Sequence, residues 1–370
     1  MGSPGACAGV LISKLNASAQ TSNDPWLHRF AVLTAVITIF LLGIGGLVTS
    51  HEAGMSVPDW PTSYGYNMFA LPIKFWRGGA FFEHSHRLLA SGAGFLTTVL
   101  AVWLWLKDPR KWMKWLGVAA FVLVVAQGVL GGLRVTLKMD NLGVIHGVVG
   151  QSFFILTCAI ALFTSRFWGR WSAGEKMFFV TRGLWTLALA TTILIFCQLA
   201  LGATMRGQHA GLAIPDFPTA YGKLWPDTSA DAVARYNAEH MDVVAENPIT
   251  AFQIILQMAH RIIALAIFIL VAAVAWLSWK RLGGKNLLAK LAFFWLALVV
   301  CQIALGAWTV WSNKAADVAT AHVLLGALSL VTGALWCIIA FGRREGATII
   351  APAKTICGAF GTSPAMAANK

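Results

Sequence analysis

Charge is what this sequence has least of: Asp, Glu, Lys and Arg together make up 12% of its 370 residues, where a soluble globular domain carries about a quarter. Only 15 acidic side chains are spread over the whole chain, which excludes a water-soluble body of this size. Cysteine is sparse too. The six (Cys7, Cys158, Cys197, Cys301, Cys337, Cys357) lie in apolar runs and tails and none in a predicted outer loop, so a disulfide framework is not expected. The polar, weakly basic first 28 residues do not read as a cleavable signal, because the first apolar run is of spanning length. They also lack the Arg-rich amphipathic character of a transit segment.

What fills the chain instead is apolar side chain, 58% of residues with a mean hydropathy of +0.69, arranged in blocks rather than stripes. Runs near 29–49, 88–106, 116–133, 143–165, 183–204, 252–279, 291–311 and 320–341 each suffice, or nearly so, to cross roughly 30 Å of hydrocarbon at 1.5 Å per residue. The expectation is eight spanning helices in an all-α polytopic membrane protein. The formal charge of +13 would point to nucleic acid if it formed one surface. It does not. Lys107, Arg110, Lys111 and Lys114 fall between spans 2 and 3, Arg166, Arg170, Lys176 and Arg182 between 4 and 5, Lys280, Arg281, Lys285 and Lys290 between 6 and 7, and Arg343, Arg344 and Lys354 after span 8. The alternate loops are longer yet carry fewer cations, which is the positive-inside pattern and predicts cytoplasmic termini. The bilayer, and no nucleic acid, is the partner that this charge implies.

The chain repeats itself. Residues 53–65 read AGMSVPDWPTSYG and residues 210–222 read AGLAIPDFPTAYG, identical at eight of thirteen positions. HRLLA at His86 matches HRIIA at His260, QGVLGG at Gln127 matches QIALGA at Gln302, and His146 falls opposite His322. The offset is 157 in the loop box and 174 to 176 after it, so the second copy carries about 17 extra residues within 223–250; their charge and few aliphatics predict a solvated excursion. Four spans per copy, an even number, give both copies the same orientation. The expected architecture is two tandem four-helix bundles related by a pseudo-two-fold axis along the membrane normal. The implied boundaries are an N-terminal tail 1–28, bundles 29–170 and 171–342, and a C-terminal tail 343–370.

The repeat sorts nine histidines. Two pairs alone recur: His86 with His260, and His146 with His322. All four lie near the outer ends of their spans, so within each bundle two imidazoles reach a similar depth on helices that can face each other. One such histidine would be an ordinary interhelical hydrogen bond. Two pairs matched across a duplication point to ligation, and two histidines with no nearby Cys or Asp suit heme rather than zinc. Gly131, Gly132 and Gly306 fit close helix packing, and Gln127 and Gln302 interhelical hydrogen bonds or contacts to a cofactor edge. Pro58-Asp59 and Pro215-Asp216 fit turns in which the aspartate satisfies backbone amides. Arg87 and Arg261 either snorkel to the outer interface or pair with heme propionates.

One position breaks the equivalence. Glu83, one turn from His86, has Gln257 as its counterpart. Beside a porphyrin a carboxylate can move protons or stabilise developing positive charge; alternatively it pairs with Arg87 or Lys74.

The stretch Glu83-His84-Ser85-His86-Arg87, the later lone histidines, the PDWPT/PDFPT boxes and the four-plus-four duplication resemble heme A synthase over essentially residues 29–341. The resemblance implies successive hydroxylation of the C8 methyl of heme O, with loss of water leaving the formyl group of heme A for cytochrome oxidase. It places Glu83, His86 and His146 at the heme O site as catalytic residues, and His260 and His322 on a heme b. It also implies heme O synthase, cytochrome oxidase assembly factors and an electron-transfer partner. The location it implies is a bacterial cytoplasmic membrane, or a mitochondrial inner membrane, with the heme sites toward the outer face. Some members carry a cysteine pair in the first outer loop; residues 50–83 hold none, so thiol chemistry there is not part of this mechanism. The competing readings are a diheme cytochrome b-type electron carrier, which leaves Glu83 without a chemical role, and a heme transporter, which would show helices broken at the midplane.

Overall fold

Helix starts are written locally. Asp24 caps the first helix through its side chain, taking the Trp26 and Leu27 amides with Pro25 in the first turn. Thr181 and Asn286 cap two later helices, and Thr250 with Gln253 forms a full capping box. The computed structural model describes residues 24–173, 179–239 and 248–343. These contain ten α-helices: α1 (Pro25–Ser50), α2 (Gly79–Lys107), α3 (Lys111–Thr136), α4 (Asp140–Phe163), α5 (Arg166–Ala173), α6 (Arg182–Gly207), α7 (Ala230–Glu239), α8 (Ala251–Leu282), α9 (Leu287–Trp311) and α10 (Ala316–Phe341). All but α5 and α7 are long and apolar enough to span a membrane, which gives the expected eight.

α2 starts at Gly79, well before the apolar run near 88 that announced it, because Glu83 and His84 are buried by the loop above rather than left in water. Two short helices were not expected. α5 straddles the predicted boundary at 170/171, and α7 forms within the extra stretch of the second copy. Its Tyr236 stacks on Tyr221 with ring centres 3.6 Å apart, so that part of the insertion is packed rather than a solvated excursion. Residues 240–247, like the 1–23 and 344–370 tails with Cys7 and Cys357, lie outside the described residues.

Each half is a closed ring of four helices. In the first, α1, α2, α3 and α4 pack each on the next, and α4 returns to α1. In the second, α6, α8, α9 and α10 do the same. The helices diagonally across each ring are α2 with α4 and α8 with α10. The halves meet through α1 on α10, α4 on α6, and α4 on α10. That exchange is reciprocal, since α1 corresponds to α6 and α4 to α10, and is compatible with the expected pseudo-two-fold relation. Small residues permit it. A Cβ on Gly46 would stand 2.9 Å from Thr320 of α10, and one on Gly207 3.0 Å from Val144 of α4. The second half has the larger core, centred on the fully buried Trp295 and Trp336, whose indole N–H groups donate to Ser329 Oγ and Leu288 O.

Candidate functional site

The repeated boxes fold into matching turns over one end of the two rings. Asp59 accepts from the Tyr64 amide at 2.6 Å, the Gly65 amide at 2.8 Å and the Thr62 hydroxyl at 2.5 Å. Asp216 accepts from Tyr221 at 2.7 Å, Gly222 at 3.0 Å and Thr219 at 2.6 Å. Gly65 and Gly222 sit at φ +76° and +72°, which asks for glycine. Burial alone would raise both carboxyls, but the three hydrogen bonds outweigh it and hold each below the ordinary carboxylate range. Both aspartates thus satisfy backbone amides, as the sequence pattern requires.

The turns are clamped to the helices below by the residues that precede and follow the first histidine of each half. Arg87 donates to Asp59 O at 2.6 Å, Thr62 O at 3.1 Å and Val57 O at 2.9 Å. It also ion-pairs with Glu83 at 2.6 Å, and the other Glu83 oxygen accepts from the Val57 amide at 2.9 Å. Lys74 instead lies over the Phe75 ring. In the second half Arg261 donates to Asp216 O at 2.7 Å and Thr219 O at 2.9 Å. Gln257 takes the Ile214 amide on its oxygen at 2.7 Å and returns its NH2 to Ile214 O at 3.4 Å and Gly211 O at 3.2 Å. Glu83 and Gln257 are 4% and 3% exposed. At Ile214 an amide therefore makes by itself the two bonds that a carboxylate and a guanidinium make together at Val57.

Beneath each clamp lies a histidine pair. His86 on α2 and His146 on α4 face each other across the first ring with ring centres 6.3 Å apart and planes at 76°. Two imidazoles bonded to one metal at about 2 Å stand with their ring centres about 6 Å apart. His260 and His322 occupy the equivalent places on α8 and α10. Every ring rests on a glycine of a neighbouring helix. A Cβ on Gly45 would meet His86 Cε1 at 3.1 Å, one on Gly131 His146 at 3.4 Å, one on Gly202 His260 at 3.3 Å, and one on Gly306 His322 at 3.1 Å. The glutamines brace the same helices. Gln127 donates to His146 O at 3.0 Å and Gln198 to His260 O at 2.8 Å, while the Gln302 side-chain nitrogen lies 3.3 Å from His322 Nε2 and the Gln302 backbone oxygen 3.1 Å from Nδ1.

These surroundings fit a planar metal-bearing ligand. Among the described residues, nine buried side-chain polar atoms lack a hydrogen-bond partner, and seven of them cluster here: Nδ1 of His86, His146 and His260, Oε1 of Gln127, Gln198 and Gln302, and Nε of Arg134. Buried polar groups are ordinarily paired, so their concentration at two places marks where a polar guest is accommodated. No three His, Cys, Asp or Glu side chains among the described residues converge as a metal cage. Two imidazoles suffice for a metal whose remaining ligands arrive with it, as in heme.

Glu83, Arg87, His86 and His146 are thus brought together in one half, and Gln257, Arg261, His260 and His322 in the other. The remaining described histidines stand aside: His51 stacks on Phe82, His84 packs edge-on against Trp76, His28 faces Thr164, and His209 is exposed in the loop after α6. The sequence reading missed the glycine shelves Gly45 and Gly202, although they share the 157-residue offset of the loop boxes. It also missed Arg134 and Arg206, whose counterparts Thr309 and Thr49 keep them out of any repeat pattern.

Residues 28–334 match the model of a family described as cytochrome oxidase assembly protein. Curated relatives named heme A synthase include those of Shewanella oneidensis, 27% identical with 83% of this chain and 93% of the relative covered, Lysinibacillus sphaericus, 25% identical with 87% and 97% covered, and Bacillus cereus, 28% identical with 86% and 95% covered.

Proposed function

The chain belongs to the cytochrome oxidase assembly protein family, and from that premise we propose that it is a heme A synthase, a membrane oxidoreductase that converts heme O to heme A. The observation that carries the reading is the duplicated histidine pair, set diagonally across two four-helix rings and, in the first half, spaced as two ligands of one iron.

The first half is the reaction chamber. His86 and His146 hold the iron of heme O, and the glycine shelves fix the planes of their rings. Glu83 stands one turn from His86 as the buried negative charge that stabilises positive charge developing at the substrate or takes up the proton released there. Its hydrogen bonds to Val57 and Arg87 fix that charge in place. Arg87 and Arg261 hold the loop boxes over the two sites and so keep water from the reacting edge; for a propionate Arg87 retains only its Nε–H, while Arg261, with two loop bonds, retains more of its donors. The second half holds heme b between His260 and His322, and heme b bound there supplies one-electron redox chemistry. Its site uses the neutral Gln257 where the first uses Glu83, as suits a permanent cofactor rather than a reactant.

Eight spanning helices make this a multi-pass membrane protein. The cation-rich connections support a topology with both termini in the cytoplasm or its equivalent, and the sites toward the opposite face of a bacterial cytoplasmic or mitochondrial inner membrane. Heme O synthase is the expected source of substrate, cytochrome oxidase assembly factors are its expected neighbours, and a separate redox partner exchanges electrons with heme b. The test is to purify the protein and identify its extracted hemes by chromatography and mass spectrometry. Heme b together with heme O, a hydroxylated intermediate or heme A is expected; two equivalents of unaltered heme b would make the chain a diheme electron carrier instead.

A further inference from the structure

Arg134 breaks the repeat beside the first histidine pair. It leaves the last turn of α3 and runs between two glycines, Gly54 of the loop and Gly143 of α4. A Cβ on Gly143 would stand 2.8 Å from its Nε, and one on Gly54 would collide with its Nη1. The second half has none of this: Thr309 replaces the arginine, Ala319 replaces Gly143, and Gly211, the counterpart of Gly54, has open space around it. The glycine pair is thus fitted to an arginine that the other half does not have.

The guanidinium is also underused. Its Nε is buried without a partner, and its ion contact is a loose 3.7 Å to Asp140, whose side chain is 71% exposed against 23% for Arg134. A buried guanidinium N–H left unpaired is costly. The other arginines nearby are committed: Arg87 to loop carbonyls and Glu83, and Arg206 of the second half to Gly46 O at 3.1 Å and Ser50 Oγ at 2.9 Å across the interface. Gly131, which abuts His146, lies one turn before Arg134 on α3, and Gly143, which abuts Arg134, lies one turn before His146 on α4, so an anion taken there lies at the edge of whatever the pair holds. A planar, forked donor is suited to a carboxylate.

We propose that Arg134, cradled by Gly54 and Gly143, binds a carboxylate of the tetrapyrrole held between His86 and His146, and so selects and orients the substrate by its propionate edge. This rests on the first half being the heme O chamber. The loose, solvent-exposed Asp140 is the carboxylate that the propionate displaces on entry, and it takes the guanidinium back when product leaves.

The experiment titrates the purified full-length protein, its heme b in place, with heme O and with heme O dimethyl ester, following uptake by absorption. The native protein is expected to bind the free acid at least about tenfold more tightly than the ester, the worth of one charged hydrogen-bonded pair. Arg134→Gln is expected to weaken the free acid to the level of the ester, leaving the affinity for ester and the heme b bands unchanged. Arg134→Lys, which keeps the charge without the fork, should retain a reduced preference and guards against a Gln variant that does not fold. Equal binding of acid and ester by the native protein, or an undiminished preference in Arg134→Gln, overturns the proposal. Failure of the native protein to take up either form removes the chamber reading together with it.

Discussion

In the first half a carboxylate and a guanidinium jointly hold the loop over the histidines; in the second a single amide takes over the carboxylate's share, bonding Ile214 through both its oxygen and its nitrogen. Elsewhere the clamps agree nearly bond for bond, down to Asp59 and Asp216 with the same three donors. The difference is therefore not demanded by holding the loop. A buried ion pair is an expensive way to fix a turn that an amide fixes as well, and retaining one beside His86 implies that the charge serves the chemistry beneath it.

The largest effect should come from the histidines, and it should fall on different observables in the two halves. His260→Ala or His322→Ala would remove a residue proposed to hold heme b and is expected to abolish the heme b absorption. His86→Ala or His146→Ala is expected to abolish heme A formation with the heme b bands intact. Loss of heme b from the first-half variants alone would exchange the roles of the two rings.

Next is the exchange that the molecule itself suggests, Glu83→Gln. Gln257 demonstrates that an amide holds the loop, so this variant should fold and keep heme b. Loss of the charge is expected to slow heme A formation by about 10²- to 10⁴-fold, the usual weight of a positioned acid or base. Turnover at the native rate would reduce Glu83 to a clamp. The reciprocal Gln257→Glu leaves Arg261 as the available partner and should change heme b content little.

Much of this was legible in the sequence because a duplication supplies its own internal comparison. Eight spans, two rings, the loop aspartates and the four histidines all recur at fixed offsets, and burial in lipid leaves an apolar run little choice but a helix. What did not recur was harder to see. Arg134 and Arg206 have threonine counterparts, and their importance lies in what they lie against, which spacing does not encode. The partners of Glu83 were open between Arg87 and Lys74; the choice followed from the loop folding down onto α2 and presenting the Val57 amide, a tertiary fact. The polar first turns of α2 fall outside the apolar run for the same reason, since they become interior only under that loop.

The smallest effects test the shelves under the imidazoles, where the halves agree in plan but not in tightness. The close glycine in the first half is Gly45 under His86, at 3.1 Å, while Gly131 leaves His146 an ordinary 3.4 Å. In the second half the order reverses: Gly306 presses His322 at 3.1 Å and Gly202 allows His260 3.3 Å. A methyl group at the close position forces the ring to give by a few tenths of an ångström, a misfit worth about 1 kcal/mol or a factor of about five in retention of the bound group. Gly306→Ala should therefore loosen heme b and shift its bands more than Gly202→Ala does. Gly45→Ala should weaken heme O uptake where Gly131→Ala leaves it alone. If both alanines in a half act alike, ring orientation is set by the iron rather than by the shelf, and the tighter fit at His86 and His322 has no bearing on which imidazole yields first when a heme leaves.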